Sequence, residues 1–335
     1  MSSTWGPRSL FGRFPDLIAR LLAELDLEEN LVCAALHPNI WFAHGPAQIR
    51  LWLGDCLRAG LHLVPPVRGW QQALLAADVV VGDHGAVTGY AAAMGMPTLL
   101  ATFPEDDVVA QSAIGALGRT APRLDQHAPL APQLRHVAAS PQTVRDLVTS
   151  TPGESAVLLR RTFYALMDLP EPAAAPLLPA YRASDLRPLR EDVRAWWAVT
   201  EIVDDRSVRA GRWPADVTAT HGGPPESGDG YLVVAYDHPR RDLYALAAVV
   251  LVPEAGAAPA EVFATHPVCH LVIQRQGGAC RVTVRDGATA VVEASEPGLA
   301  ETASAALLPW FDLHAGSNSH LDVLLGSQRV HLTVH

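Results

Sequence analysis

The sequence predicts an α/β chain: a doubly wound parallel sheet followed by a smaller α+β domain with an antiparallel sheet. Three observations predict it. Through residues 1–170, short apolar runs alternate with helical patterns, the signature of parallel strands joined by crossover helices. Residues 76–101 read as strand, polar turn, helix and second strand. Beyond a Pro/Ala linker at 171–180, the pattern changes to short strands punctuated by Asp286-Gly287 and Gly326-Ser327, and Asp-Gly in particular favours a tight hairpin. The expected domains are therefore 1–170 and 181–335.

Taken in order, Ser3-Thr4-Trp5-Gly6 is a small-residue loop and 17–25 a helix with apolar residues at helical spacing. A buried strand at 31–36 ends in His37-Pro38. A helix at 48–59, a strand at 61–64 and a helix at 71–76 follow. Val79-Val80-Val81 is a β-branched run suited to a strand buried on both faces. Asp83-His84-Gly85 breaks it, a helix over 88–94 closes at Gly95-Met96-Pro97, and 98–102 starts the next strand. Helices are expected at 108–117, 141–149 and 154–169. In the second domain, 185–202 reads as an amphipathic helix carrying Trp196 and Trp197, and 221–230 as a polar Gly/Pro-rich passage. Strands are expected at 231–236, 243–252, 269–274, 281–285 and 290–293, then a helix over 297–308 and a closing hairpin of 321–325 with 330–334.

Composition excludes several functions. A net charge of −10 argues against nucleic-acid binding. No apolar run approaches the length of a transmembrane helix, and the N-terminus lacks the apolar core of a leader. Cys33, Cys56, Cys269 and Cys280 are scattered without metal-ligand spacing, which reads as reduced core thiols and a cytoplasmic location. All 25 basic residues are arginine. That removes a phosphate-loop lysine, a pyridoxal Schiff base and any lysine nucleophile. Neither a Gly-x-Ser-x-Gly elbow nor a His-Glu-x-x-His helix is present.

The chemistry-bearing residues gather around the 83–88 turn. A strand end that opens a helix presents free N–H groups to an anion. There, the imidazole of His84 can donate to a phosphate oxygen and, protonated, neutralise leaving-group charge; the other reading is a polar turn residue. Asp83 either orients His84 or caps the helix. Gly85 and Thr88 suit close approach of a phosphate, Thr88 alternatively being a first-turn hydroxyl bonded to backbone. His37 fits a diphosphate contact, acid/base work or a structural role before Pro38. Gln111 fits a sugar contact or a solvated helix surface.

The span from Ala77 to Pro104, with Ser3-Thr4-Trp5-Gly6 and His37-Pro38, resembles the C-terminal, donor-binding lobe of GT-B glycosyltransferases and the related CDP-glycerol glycerophosphotransferases. The same pattern occurs in actinobacterial proteins. The resemblance covers 1–170 and implies a Rossmann-like lobe binding a nucleotide-sugar or CDP-polyol. In it, His84 and His37 are catalytic, and Thr4, Gly6, Asp83, Gly85, Ala86, Thr88 and Gln111 hold the donor. It implies no cofactor beyond the nucleotide-diphosphate substrate, and no metal. The family's ribose-binding carboxylate has no counterpart at Gly89, Tyr90 or Ala91. The acceptor lobe is also missing, so the chain is expected to be inactive alone and to need an N-terminal lobe or a protein partner. The alternatives are a non-catalytic nucleotide- or partner-binding module and a relative of nucleotide-sugar 2-epimerases.

Overall fold

The computed structural model describes residues 1–222, 230–314 and 319–335. Residues 223–229 of the Gly/Pro-rich passage expected at 221–230 therefore lie outside the described residues. The chain divides into two compact units, each drawn from more than one stretch of sequence. Unit 1 comprises Met1–Leu17, Cys33–Ile49 and Leu63–Leu189; unit 2 comprises Ile18–Val32, Arg50–His62 and Arg190–His335.

Unit 1 holds short parallel strands. β1 (Ser2–Ser3), β2 (Cys33–Leu36) and β3 (His62–Leu63, at the change from one unit to the other) form one three-stranded sheet. β4 (Val80–Gly82) and β5 (Thr98–Leu100) form a separate parallel pair, linked by the helix Ala86–Ala93. A continuous doubly wound sheet, and with it a Rossmann-like lobe of GT-B type, is not what forms. The strands are only two to four residues long, and proline limits several of them. β2 runs into His37-Pro38 and β3 into Val64-Pro65-Pro66, while β5 lies between Pro97 and Pro104. Proline has no N–H to give a ladder and constrains the residue before it. Packing of helices completes the unit: Ala92, Leu100, Ala116, Leu117 and Val144 share one buried cluster, and Leu74, Val80 and Ala91 another. The helix expected at 108–117 starts later, at Ala113, because the Ser112 hydroxyl caps it by accepting from Gly115 N–H at 3.0 Å. Helix Ser155–Leu166 has no buried residue. Residues 171–180 carry no regular structure.

Unit 2 is built on a closed barrel. Its strands are β6 (Ala195–Asp204), β7 (Ser207–Pro214), β8 (Gly230–Ala235), β9 (Ala247–Val252), β10 (Leu271–Gln276), β11 (Ala279–Val284), β12 (Thr289–Ala294), β13 (Ser319–Leu325) and β14 (Gln328–Val334). Around the ring the order is β10-β11-β12-β14-β13-β7-β6-β8-β9, closed by β9 on β10. The antiparallel α+β sheet is thereby corrected to a mixed barrel. The hairpins at Asp286-Gly287 and Gly326-Ser327 form in register, but β8–β9, β9–β10 and β7–β13 pair in parallel. Helices Arg241–Tyr244 and Pro259–Thr265 make two of these crossovers. The helix expected over 185–202 is largely β6 instead. Aromatic and β-branched residues favour the strand there, and period-2 alternation sends Trp196 and Ala198 inward while Ala195 and Trp197 face outward.

Inward side chains of all nine strands fill the barrel together with Ala303 of helix Ala300–Ala305, Trp310 and Phe311 of helix Leu308–His314, and Leu307 between the two helices. The interior is a packed core rather than a pore. On the outside, β8, β9 and β10 are buried again, by Leu243 and Val262 of the crossover helices among others.

One charged network in this unit is centred on a buried Asp216–His238 pair, with the Arg58 side chain half-buried beside it. The Asp216 carboxylate accepts from Arg58 Nε at 2.8 Å and lies 3.2 Å from His238 Nε2, while His238 Nδ1 accepts from Arg240 N–H at 3.2 Å. Burial alone would raise the Asp216 carboxyl, but hydrogen bonds from His238 and Arg58 outweigh it and hold the group below its ordinary value. A carboxyl so depressed stabilises the fold fully above its unfolded pKa, and that stability is lost as the pH falls through the lower folded value. Arg58→Met leaves the buried carboxylate with one partner fewer and is expected to destabilise by roughly 2–4 kcal/mol at neutral pH. Thermal unfolding between neutral and acid pH checks this: the variant should show the shallower acid dependence. A neutral-pH melting point within about a degree of wild type would count against the network.

Candidate functional site

The loop ends of β1 and β4 are joined by one side chain. Asp83, fully buried, follows β4 and accepts three backbone N–H groups. These come from Thr4 at 2.9 Å, Leu10 at 2.8 Å and Gly85 at 2.9 Å. Ser3 Oγ lies 3.4 Å from the same carboxylate and itself accepts from Phe11 N–H at 2.9 Å. Each bond to an ionised acceptor is stronger than its neutral counterpart. Asp83 therefore does what a strand ladder would otherwise do between β1 and β4: it fixes the 4–10 loop against the turn that opens helix Ala86–Ala93.

That helix packs unusually close to its strand. A Cβ on Gly82 would lie 2.2 Å from Thr88 Oγ1, so only glycine fits there. Thr88 is fully buried against Gly82, and its hydroxyl has no hydrogen-bond partner. It acts as a wedge between helix and strand, turned away from the loop mouth. Gly85 is the N-cap and Ala86 the exposed first residue. The first-turn amides of this eight-residue helix have no intrahelical acceptor and point outward at its positive end.

His84 stands beside that end. Its Nδ1 is buried without a partner, its Nε2 lies 3.9 Å from Asp107 Oδ2, and Phe103 meets its ring edge-on at 6.4 Å. Desolvation lowers its pKa, Asp83 opposes that, and the Arg8 charge adds to the lowering. The imidazole is therefore neutral at pH 7. A proton on Nε2 makes that nitrogen a donor, on a side chain that is 15% exposed.

His37 follows β2 and caps helix Pro38–His44, its Nδ1 accepting from Asn39 N–H at 3.1 Å. Its ring is 6.5 Å from that of Trp5, an exposed indole on the loop after β1. Thr4 contributes its amide to Asp83. Gly6 takes a left-handed φ of +96°, and its carbonyl accepts from Ser9 Oγ at 2.7 Å. Gln111 is exposed on the turn ahead of helix Ala113–Thr120. The structure thus gathers Thr4, Asp83, His84 and Gly85 tightly, with Thr88 behind them.

Two site residues escaped the sequence reading in their roles. Arg8 forms an ion pair with Asp107, and Trp5 forms an exposed wall beside His37. The Gly6-Pro7 bend was the available signal for Arg8, since it turns the next residue back over the loop. Unit 2 has a cleft of about 650 Å³ lined by Asp26, Glu28, Glu201, Arg209 and Trp213 among others. Three of its carboxylates are already engaged: Asp26 accepts from the Glu28 and Glu29 amides, Glu28 pairs with Arg212, and Glu201 with Arg209. Among the described residues no group of His, Cys, Asp and Glu is arranged to hold a metal, and no helix is long and apolar enough to cross a membrane.

No protein-family model, curated protein or solved structure matches this chain. The glycosyltransferase reading leaned on the doubly wound lobe, and the short sheets and the closed barrel remove that support.

Asp83→Ala strands the buried N–H groups of Leu10 and Gly85 and is expected to destabilise by roughly 3–5 kcal/mol. Asp83→Asn, keeping one acceptor oxygen, should fall between. Urea unfolding of both variants measures this; a loss under about 1 kcal/mol for the alanine variant would mean that water replaces the carboxylate.

Proposed function

We propose that unit 1 is a binding module for a phosphate-bearing small molecule, a nucleotide diphosphate being the leading candidate, without catalysis of its own. The observation that carries the reading is the Asp83 clamp. It holds the Thr4–Leu10 loop and the start of helix Ala86–Ala93 in one rigid mouth. His84 offers a donor there, and the outward amides of the helix add positive potential where an anion would sit. The exposed indole of Trp5, near His37, supplies a flat apolar wall suited to a nucleobase. Asp83 spends its charge on backbone amides, so it repels an incoming phosphate less than a free carboxylate would.

Calorimetric titration with UDP, CDP and GDP tests the reading. At least one should bind, and His84→Ala should weaken that binding roughly threefold to tenfold, the worth of one hydrogen bond to a charged group. Trp5→Ala should weaken binding of the nucleotide more than of inorganic pyrophosphate. If none of the three nucleotides binds, the reading fails.

A further inference from the structure

The loop mouth already holds an acid of its own. Asp107 ends the single turn Glu105–Asp107 that follows β5. Its Oδ1 is paired with Arg8 Nη2, and its Oδ2 lies 3.9 Å from His84 Nε2. One carboxylate therefore faces both a guanidinium and the imidazole. Both come from loops that Asp83 holds in place.

We propose that Asp107 is a built-in competitor for the ligand's phosphate, occupying the position between Arg8 and His84 that the phosphate takes when it binds. The proposal rests on the reading of unit 1 as a phosphate-binding module. Three features make Asp107 displaceable. Its turn has no buried residue, so moving the side chain disturbs no core. The Arg8 and Asp107 side chains are 50% and 31% exposed, which places their ion pair among the weak, screened ones. A phosphate also brings more charge and more acceptor oxygens than a carboxylate, and a guanidinium fork meets two of them at once. Ligand binding is then an exchange of one acid for another. Arg8 becomes a ligand contact in the bound state and a latch in the free one.

The same arrangement sets a threshold. A weakly charged ligand gains little over Asp107 and is excluded, whereas a diphosphate displaces it. The site's selectivity is thereby tied to ligand charge rather than to shape alone.

Titration of wild type, Asp107→Asn, Asp106→Asn and Arg8→Ala with inorganic pyrophosphate and with UDP tests this. Asp107→Asn should bind both probes roughly threefold to fivefold tighter, the range set by the worth of an exposed ion pair. Asp106→Asn removes the same charge one residue away and should change affinity far less. Arg8→Ala should weaken binding. Melting curves should show all three variants folded, because each substitution is at an exposed site. If wild type binds and His84→Ala binds less, but Asp107→Asn is no tighter than Asp106→Asn, the competitor role is overturned and the binding module stands. If no variant binds either probe, both readings fall together.

Discussion

A buried carboxylate accepting three main-chain N–H groups organises the loop end of unit 1. β1 and β4 belong to different sheets, so no ladder of backbone bonds aligns the segments that follow them. Asp83 supplies that alignment from the side chain, reaching Thr4 and Leu10 across 79 and 73 residues of sequence. An ionised acceptor is needed for this. A neutral amide has one acceptor oxygen, whereas a carboxylate has two and can serve all three donors. Whatever Arg8, His84, Trp5 or Asp107 do, they do in positions that this one group sets. The wedge of Thr88 against Gly82 extends the constraint to the helix, since the loop cannot shift without moving a helix packed hard on its strand.

Unit 2 solves a different problem. Nine strands in an open sheet would leave two edges with unpaired N–H and C=O groups, a hazard for aggregation. Pairing β9 with β10 removes both edges at once. The price is a barrel wide enough to need filling, which Trp310, Phe311 and the alanines of helix Ala300–Ala305 supply. The Arg58–Asp216–His238 network, buried at Asp216 and His238, lies outside this apolar filling, where charges can be mutually satisfied without interrupting it.

How far the sequence discloses this follows from the range of each interaction. The strand, turn and helix of 76–101 are legible because β-branched residues, a polar Asp-His-Gly break and a small-residue helix lie consecutively. The hairpins at Asp286-Gly287 and Gly326-Ser327 are legible for the same reason. Asp83's partnership with Thr4 and Leu10 is not, because only its contact with Gly85 is local; the residue reads as a helix cap when its true partners lie far upstream. The strand at Trp196 was hidden by Leu186, Leu189 and Val193, whose spacing extends a helical pattern into a segment that alternates only from Ala195 onward. Barrel closure depends on which strands meet, and the apolar runs of β8, β9 and β10 state burial on both faces without naming neighbours. Among the sequence-derived site residues, His84 and Gly85 flank the start of helix Ala86–Ala93, Thr88 is packed against Gly82, and Gln111 is exposed on a turn. A hydroxyl one turn into a helix looks the same in sequence whether it faces a ligand or a glycine.

The barrel also carries a consequence for synthesis. β14 sits between β12 and β13 in the ring, yet it is the last of the nine strands to leave the ribosome. Until residues 328–334 emerge, β12 and the rest of the wall have an open seam, and the aromatic filling of helix Leu308–His314 has only part of its enclosure. The unit must therefore be held as an incomplete sheet throughout translation and can close only once its final strand is free.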